Sequence, residues 1–255
     1  MRKIKITFMA ILVVSLLTAL PAFAGDFKTS LGLGVGMTPD YEGSDDYEAV
    51  LVPFAKVTWE SGRYVLLDGN SLRINFLSDN WQFGPVLQYR GKRDNVENDR
   101  VDDMEDIDAA IEAGAFLAYK NGPWLFGVDA VTDVSNEHDG YLITLRGAYT
   151  AEVSQYFKLT PFLSTTYADD NYMETYFQVD AGNVGTSGLE FRDAEACFKD
   201  VTFGLTADYD ITDQAIIRIM GAYAMLLDDA KDSPIVDDEG DDKQMYLGLL
   251  CIFHF

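Results

Sequence analysis

The chain is poor in the residues from which most catalytic and metal sites are built. It has two cysteines, Cys197 and Cys251, and two histidines, His138 and His254, in 255 residues. No Cys-x-x-Cys pair and no Cys/His cluster with metal-ligand spacing occurs, so neither a zinc site nor a disulfide framework is indicated. We expect both cysteines to be unpaired, and we predict no catalytic, cofactor-binding or metal-binding residue.

Positive charge is also scarce. The chain has 19 lysines and arginines against 42 aspartates and glutamates, a net charge of −23. Because nucleic acids are bound through basic surfaces, this balance argues strongly against a nucleic-acid partner. A disordered acidic chain is contradicted by 48% hydrophobic and 13% aromatic residues, a content typical of folded proteins. The composition favours one large all-β domain.

Long apolar runs are lacking outside the N-terminus. There the chain shows three cations, a short uncharged stretch and a small-x-small pattern, namely Arg2, Lys3 and Lys5, residues 6–20, and Ala22-Phe23-Ala24. This order predicts a signal peptide over residues 1–24, cleaved before Gly25, since the stretch is too short for a membrane-spanning helix. Removing the three cations from a net charge of −23 leaves −26 for residues 25–255.

Alternation with a period of two dominates the remainder of the chain. In the last segment, apolar residues fall on one face: Met245, Leu247, Leu249, Cys251, Phe253 and Phe255. Twelve such segments can be counted: 29–37, 47–59, 63–67, 71–77, 81–92, 107–119, 124–135, 141–153, 156–167, 199–210, 214–226 and 243–255. The count assumes that Asp68-Gly69-Asn70 turns the chain. An even number favours this split, because bacterial barrels have both termini in the periplasm.

Connections between the segments alternate between short turns and long acidic loops, near residues 38–46, 93–106, 136–140, 168–198 and 227–242. Aromatic residues gather at the segment ends: Trp59, Trp81, Tyr89, Tyr119, Trp124, Tyr141, Tyr167 and Tyr209. Both features are typical of outer-membrane proteins. The sequence therefore predicts an all-β, transmembrane antiparallel β-barrel of about 12 strands in the cell outer membrane.

Charged residues within the strands are predicted to face the lumen, because each lysine or arginine on the lipid face would cost about 2–4 kcal/mol near the midplane. These lumen charges are Lys56, Arg73, Arg90, Glu112, Asp129, Arg146, Lys158, Asp208 and Arg218. They suit either an anion-favouring channel or a lumen closed by ion pairs. The acidic loops suit either divalent-cation binding, with bridges to lipopolysaccharide phosphates, or a solvated surface.

The loop at 168–198 is too apolar for a free external loop. Its candidate residues are Tyr172, Met173, Thr175, Tyr176 and Phe177, which form either an inward plug, a contact surface or a strand extension. Catalysis finds little support, because His138 and His254 are predicted on opposite sides of the membrane, and a loop histidine near carboxylates is usually solvated. We expect no enzyme.

The sequence resembles the MipA/OmpV family of outer-membrane proteins. The matching stretches are GLGVGMTPDYEGSDDYE at 32–48, DDNYMETYFQVD at 169–180 and the segment 226–255, with weaker agreement at 112–124. Departures from the family pattern are Gln178, where glycine is common, and the ending Phe253-His254-Phe255 in place of aromatic-Arg-Phe.

The resemblance implies an outer-membrane barrel. We expect such a barrel to contact outer-membrane lipid and lipopolysaccharide, and we expect no cofactor. For the MipA branch it implies a scaffold between a murein lytic transglycosylase and a penicillin-binding synthase. The OmpV branch is associated with adhesion and osmotic response. The expected function is therefore structural or scaffolding, with a narrow solute channel or surface adhesin as the alternative.

Overall fold

A computed structural model describes residues 27–78 and 80–255, so the predicted signal peptide, residues 1–24, lies outside the described residues. The β-segments are Phe27–Pro39 (β1), Tyr47–Trp59 (β2), Tyr64–Asp68 (β3), Ser71–Asn75 (β4), Trp81–Arg90 (β5), Ala110–Asn121 (β6), Trp124–Asp133 (β7), Tyr141–Tyr149 (β8), Ala151–Ser154 (β9), Phe157–Ala168 (β10), Cys197–Thr212 (β11), Ala215–Leu226 (β12) and Lys243–His254 (β13). Short helices in the long loops are Asp99–Asp102 (α1), Asp170–Phe177 (α2), Ala181–Ser187 (α3), Asp228–Lys231 (α4) and Pro234–Asp237 (α5).

The β-segments form one closed antiparallel sheet. Sequence neighbours pair with each other, and β13 pairs back onto β1. Both β8 and β9 pair with β10 and are separated only by Thr150, so together they make one barrel strand. The result is a twelve-stranded barrel, which confirms the predicted fold class. The hairpin of β3 and β4 confirms the predicted turn at residues 68–70.

Alternation along the strands separates a lipid face from a lumen face. In β13, Leu249 is 50% exposed whereas its neighbour Leu250 is 2% exposed. Such a face suits hydrocarbon because its side chains are apolar and paired strands satisfy each other's backbone hydrogen bonds. None of the helices in the described part of the chain is long and apolar enough to cross a membrane.

Aromatic side chains ring both ends of the barrel, as predicted. At the end that carries the short turns, which is the periplasmic end, the rings of Trp81 and Tyr119 lie 4.8 Å apart. At the external end, the rings of Tyr167 and Phe198 lie 5.5 Å apart. The two girdles mark the depth of the membrane along the barrel wall.

In the periplasmic half of the lumen, an apolar cluster is formed by strand side chains alone. Phe54, Leu250 and Ile252 are buried against one another. Gly34 makes room for them, since a Cβ there would lie 2.6 Å from Leu250 Cγ. Large inward side chains of β13 therefore pack over the glycines of the neighbouring strand β1.

The external loops fold over and into the barrel mouth. The predicted strand start at residue 107 is moved to Ala110, because Ile107 pairs instead with Arg93, with N–O distances of 2.9 and 3.0 Å. Cys197 and Cys251 are both free, as predicted, and lie near opposite ends of the barrel.

Candidate functional site

The segment after β10 enters the barrel mouth as a helix, α2, and not as an extension of the strand. Asp169 begins the helix, because its side chain accepts hydrogen bonds from Tyr172 N at 3.2 Å and Tyr141 N at 2.8 Å, the usual role of an N-cap carboxylate. Apolar residues at helical spacing then share one face. Tyr172, Met173 and Phe177 on this face are 0% exposed.

The buried face of α2 packs on inward-facing strand residues, including Val86, Phe116, Val131 and Leu142. Tyr176 belongs to the same face and is 7% exposed. Thr175 does not, because its hydroxyl bonds to Asn171 O at 2.9 Å on the opposite side of the helix. The helix thus presents its aromatic residues to the lumen and its polar residues to the exterior.

Side chains from other loops hold α2 in place. Ser233 Oγ donates a hydrogen bond to Phe177 O at 2.6 Å, and Arg93 Nη1 donates one to Tyr176 O at 3.0 Å. Ser233 precedes α5, whose residues Ile235 and Val236 are 0% and 1% exposed. Loops that are distant in sequence therefore form one packed lid above the strands.

An ionic cluster lies directly beneath α2. The Tyr172 hydroxyl donates a hydrogen bond to Glu42 Oε2 at 2.7 Å, and Glu42 also contacts Lys199 and Arg90. Arg90 bonds Glu112 at 2.7 Å, and its guanidinium lies 4.8 Å from the centroid of the Tyr172 ring. Each charge in the cluster is met by an opposite charge or by an aromatic face.

The electrostatics of the loop residues follow from this arrangement. Burial by itself raises the pKa of Glu42, but Lys199 and Arg90 outweigh it and hold the pKa below its usual value. Burial raises the pKa of Tyr172 well above its usual value. Burial also lowers the pKa of Arg93 to about 10 and raises that of Tyr41 to about 12. Near neutral pH, Glu42 is charged and Tyr172 is a neutral hydrogen-bond donor.

His138 is buried within the same cluster, contrary to the expectation of a solvated loop histidine. Its Nε2 lies 3.3 Å from Glu112 Oε1, and its Nδ1 accepts a hydrogen bond from Gly140 N at 3.1 Å. Its ring packs edge-on against Tyr172 at 5.2 Å. The histidine is drawn inward because the loop at 134–140 wraps the Asp133 carboxylate, which accepts hydrogen bonds from the backbone N–H groups of residues 137–139.

Other predicted lumen charges lie lower in the barrel. Asp129, 5% exposed at its side chain, contacts both Arg73 (2.7 Å) and Arg146. Nearer the periplasm, Arg218 bonds both oxygens of Asp208, at 2.7 and 3.0 Å. The remaining two are Lys56, which lies 5.1 Å from the centroid of the Tyr64 ring, and Lys158, which is exposed.

Two members of the cluster, Glu42 and Lys199, were missed by sequence reasoning. Strict alternation from Val201 places Lys199 on the lipid face. The pairing of β10 with β11 shifts by one residue between Thr166 and Tyr167, which turns Lys199 inward beside Asp200. Such a β-bulge leaves no mark on the alternation pattern, and Glu42 lies in a loop, where alternation has no meaning.

Carboxylates of the acidic loops contact bases and backbone N–H groups of the loops themselves. Arg192 contacts Asp229 at 3.1 Å and Asp232 at 3.4 Å, and Asp102 accepts a hydrogen bond from Val96 N at 3.0 Å. In residues 27–78 and 80–255, no group of three or more His, Cys, Asp or Glu side chains is placed to hold a metal ion. The carboxylates thus accept hydrogen bonds from loop backbone and pair with bases of neighbouring loops.

Comparisons with known proteins agree with this architecture. The family model described as MltA-interacting protein MipA matches residues 31–255. An Escherichia coli (strain K12) protein described as "Putative outer membrane protein YiaT" is 23% identical over 146 residues, which are 56% of this chain and 58% of the relative. The match to the Escherichia coli O157:H7 protein of the same description has the same extent. The matched region is thus less than two thirds of those relatives.

Two solved structures illustrate the geometric similarity. The NanC porin is 12% identical, covers 88% of this chain and 98% of its own, and has a TM-score of 0.47. The translocator domain of the autotransporter NalP from Neisseria meningitidis is 9% identical, with coverages of 98% and 95% and a TM-score of 0.46.

Proposed function

We propose, from the premise that this chain belongs to the MltA-interacting protein MipA family, that it is a scaffolding protein linking the outer membrane to murein-processing enzymes. Its closed barrel lies in the outer membrane, where it contacts lipid and lipopolysaccharide. The partners that the family description suggests are a murein lytic transglycosylase and, through the same scaffold, a penicillin-binding synthase. The barrel itself performs no chemistry in this role.

The observation that carries the proposal is the filling of the lumen. The helix α2 acts as a plug in the external half, since its three fully buried side chains pack on strand residues across the mouth. Phe54, Leu250 and Ile252 form a second buried apolar cluster in the periplasmic half. A barrel occupied in this way is suited to presenting a surface rather than to passing solute.

The surface within reach of a periplasmic enzyme is the rim of short turns. Apolar side chains of this rim are exposed: Phe76 (53%), Leu77 (39%), Tyr156 (52%), Ile211 (50%) and Phe255 (77%). Exposed aromatic and aliphatic residues are the usual anchors of protein interfaces. The rim is narrow, so it fits a weak or transient contact better than an obligate one.

A pull-down from detergent-solubilised envelopes, followed by mass spectrometry, tests the proposal. The wild-type protein is expected to recover murein enzymes, and the double variant Phe76→Glu, Tyr156→Glu is expected to lose them. A matched control is Phe191→Glu, because Phe191 is 58% exposed but lies in an external loop. Equal recovery by all three proteins, or failure of the wild type to recover any murein enzyme, would contradict the scaffold.

A surface role such as adhesion is the second candidate, favoured by the order of the external loops. Tyr41, Val101 and Ile235 come from three different loops and are buried in one apolar cluster. The external loops therefore hold one another in a defined conformation, and the acidic exterior is an ordered surface. Replacing Val101 and Ile235 together by Ser should abolish adhesion of whole cells if this surface binds a host or matrix component. Unchanged adhesion by cells that carry the folded variant would remove this candidate.

A further inference from the structure

The barrel wall between β2 and β5 reaches only part of its height. The two strands between them, β3 and β4, have five residues each, whereas β2 has 13 and β5 has 10. β2 pairs with β3 only from Phe54 to Thr58. The last bond on this side joins Gly69 N to Pro53 O at 3.0 Å. Beyond it, the external half of β2 has a neighbour on one side only.

The backbone of β2 exposes an open edge at this place. Trp59 N bonds toward the hairpin, to Arg63 O at 3.0 Å, and every second residue of a strand directs its backbone groups the same way. Ala49 and Leu51 therefore direct their N–H and C=O groups away from β1. Within residues 27–78 and 80–255, these four groups have no hydrogen-bond partner on that side.

This edge lies at hydrocarbon depth. Leu51 pairs with Val35 on β1, and Val35 pairs with Leu249 on β13. The three side chains are 54%, 57% and 50% exposed on the lipid face. They lie between the two aromatic girdles, in the external half of the apolar belt. An open sheet edge does not persist against lipid unless something satisfies its polar groups.

The opening is framed on all sides. Below it lies the hairpin tip, where Asn70 O accepts a hydrogen bond from Tyr89 N at 2.9 Å. Above it, the chain leaving β5 crosses toward β1, and Glu97 N bonds Asp40 Oδ2 at 3.0 Å. On the β5 side, a Cβ added to Gly91 would meet no atom within 4 Å. We call this opening, between Ala49–Leu51 and Gln88–Gly91 and above residues 69–70, the wall window.

Polar side chains face inward at the base of the wall window, and one of them is unsatisfied. Ser71 shares the inward face of β4 with Arg73, and its hydroxyl is buried without a hydrogen-bond partner. Gln88 is its cross-strand neighbour and is half-buried, and Asp68 at the hairpin tip is exposed. Above them, Arg90 and α2 seal the mouth. Access to these groups is therefore sideways, from the membrane.

We propose that the wall window binds an acyl amphiphile of the outer leaflet through its ester or amide linkages. A linkage carbonyl accepts from the N–H groups of Ala49 and Leu51, and an amide N–H or hydroxyl donates to their C=O groups, so the ligand replaces the missing strand. The acyl chain stays in the membrane beside Leu51, and the polar part extends toward Ser71. A molecule with hydrogen-bonding groups at hydrocarbon depth meets these requirements.

Quenching by brominated lipid tests the proposal in the reconstituted protein. In a background with Trp59, Trp81 and Trp124 replaced by Phe, single tryptophans are introduced as Gln88→Trp, Thr144→Trp and Leu145→Trp. Thr144 faces the lumen behind an unbroken wall, and its neighbour Leu145 faces lipid, 47% exposed. In vesicles with brominated acyl chains, Gln88→Trp is expected to be quenched nearly as strongly as Leu145→Trp, and Thr144→Trp only weakly.

The proposal is overturned if Gln88→Trp is quenched no more than Thr144→Trp. Strong quenching of Gln88→Trp by aqueous acrylamide without quenching by bromolipid would show a water-filled window and would also overturn it. Heat-modifiable migration on gels verifies that each variant is folded before it is compared.

A proline variant tests the role of the strand edge. Leu51→Pro removes one edge N–H, and the strand can accept it because Pro53 already occupies the next position that faces the same way. Leu51→Ala changes the side chain and keeps the N–H. In the Gln88→Trp background, Leu51→Pro should reduce quenching by bromolipid and Leu51→Ala should not. Equal quenching in the two variants would show that the edge does not hold the ligand.

Discussion

The two halves of the lumen are filled by different means. In the external half, a loop helix enters the barrel, and its aromatic residues cover a cluster in which Glu42, Arg90 and Glu112 are held by charges from separate strands and loops. In the periplasmic half, the strands fill the space with their own side chains, Phe54 and Ile252 among them. The packing of the external half depends on contacts between loops that are distant in sequence. The packing of the periplasmic half depends on the alternation of inward side chains along the strands.

This difference has an energetic consequence. In the external half, Glu112 is 1% exposed at its side chain, whereas Asp208 in the periplasmic half is 19% exposed. A carboxylate that loses its partner in a site without water lowers the stability of the fold strongly. A carboxylate that water can solvate lowers it much less. The external half should therefore tolerate the loss of a partner far less well than the periplasmic half.

The largest effect is expected from removing the aromatic face of α2. The triple variant Tyr172→Ser, Tyr176→Ser, Phe177→Ser should release the helix, because each buried aromatic contributes about 3–5 kcal/mol. Limited proteolysis should then cut within residues 169–196, while the strands remain protected. Planar-bilayer conductance should stay small, because the periplasmic cluster remains in place, and should rise when Phe54→Ala is added. A large conductance in the triple variant alone would show that only the external half closes the barrel.

A smaller effect is expected from matched arginine variants in the two halves. Arg90→Met leaves the buried Glu112 with only His138 beside it and should lower the free energy of unfolding by about 3–5 kcal/mol. Arg218→Met should cost clearly less, since water can solvate Asp208. Both arginine side chains are 24% exposed, so the burial of the arginine itself does not distinguish the two variants. Urea titration of the folded fraction in micelles measures both, and equal losses would remove the proposed difference.

The smallest effect is a pH dependence confined to the external half. The pKa of Glu42 is lowered in the folded protein, so its contribution is complete above its usual pKa of 4.5 and is lost as the pH falls below that value. The pKa of Tyr172 is raised, so its contribution is complete below pH 10 and is lost above it. Glu42→Gln should lower stability at pH 7 by about 1.5–3 kcal/mol, and its difference from wild type should shrink in acid. A difference that is constant from pH 7 to pH 3 would contradict this assignment.

Much of the fold followed from local patterns in the sequence. The alternation in residues 243–255 correctly separated the lipid face, with Leu249, from the lumen face, with Leu250. The even-number argument correctly split residues 63–77 into two strands. Such predictions succeed because each side chain of a membrane strand faces either lipid or protein, and this choice repeats with a period of two.

The candidate site was harder to predict. The apolar loop residues near Tyr172 were singled out, but their helical conformation and their partners were not. Lys199 was missed because a β-bulge reverses its face, and His138 was expected to be solvated, whereas it is 4% exposed. Each miss concerns a residue whose position depends on a distant segment.

By itself, the sequence determined the membrane-spanning strands, their number and the residues that meet lipid, because those choices are made by each residue against its immediate surroundings. Only the tertiary structure decided which loop enters the barrel, which charges meet beneath it, and where the short hairpin leaves the edge of β2 open. Those features arise when segments more than a hundred residues apart, such as Glu42 and Tyr172, come into contact, and no local periodicity encodes that contact.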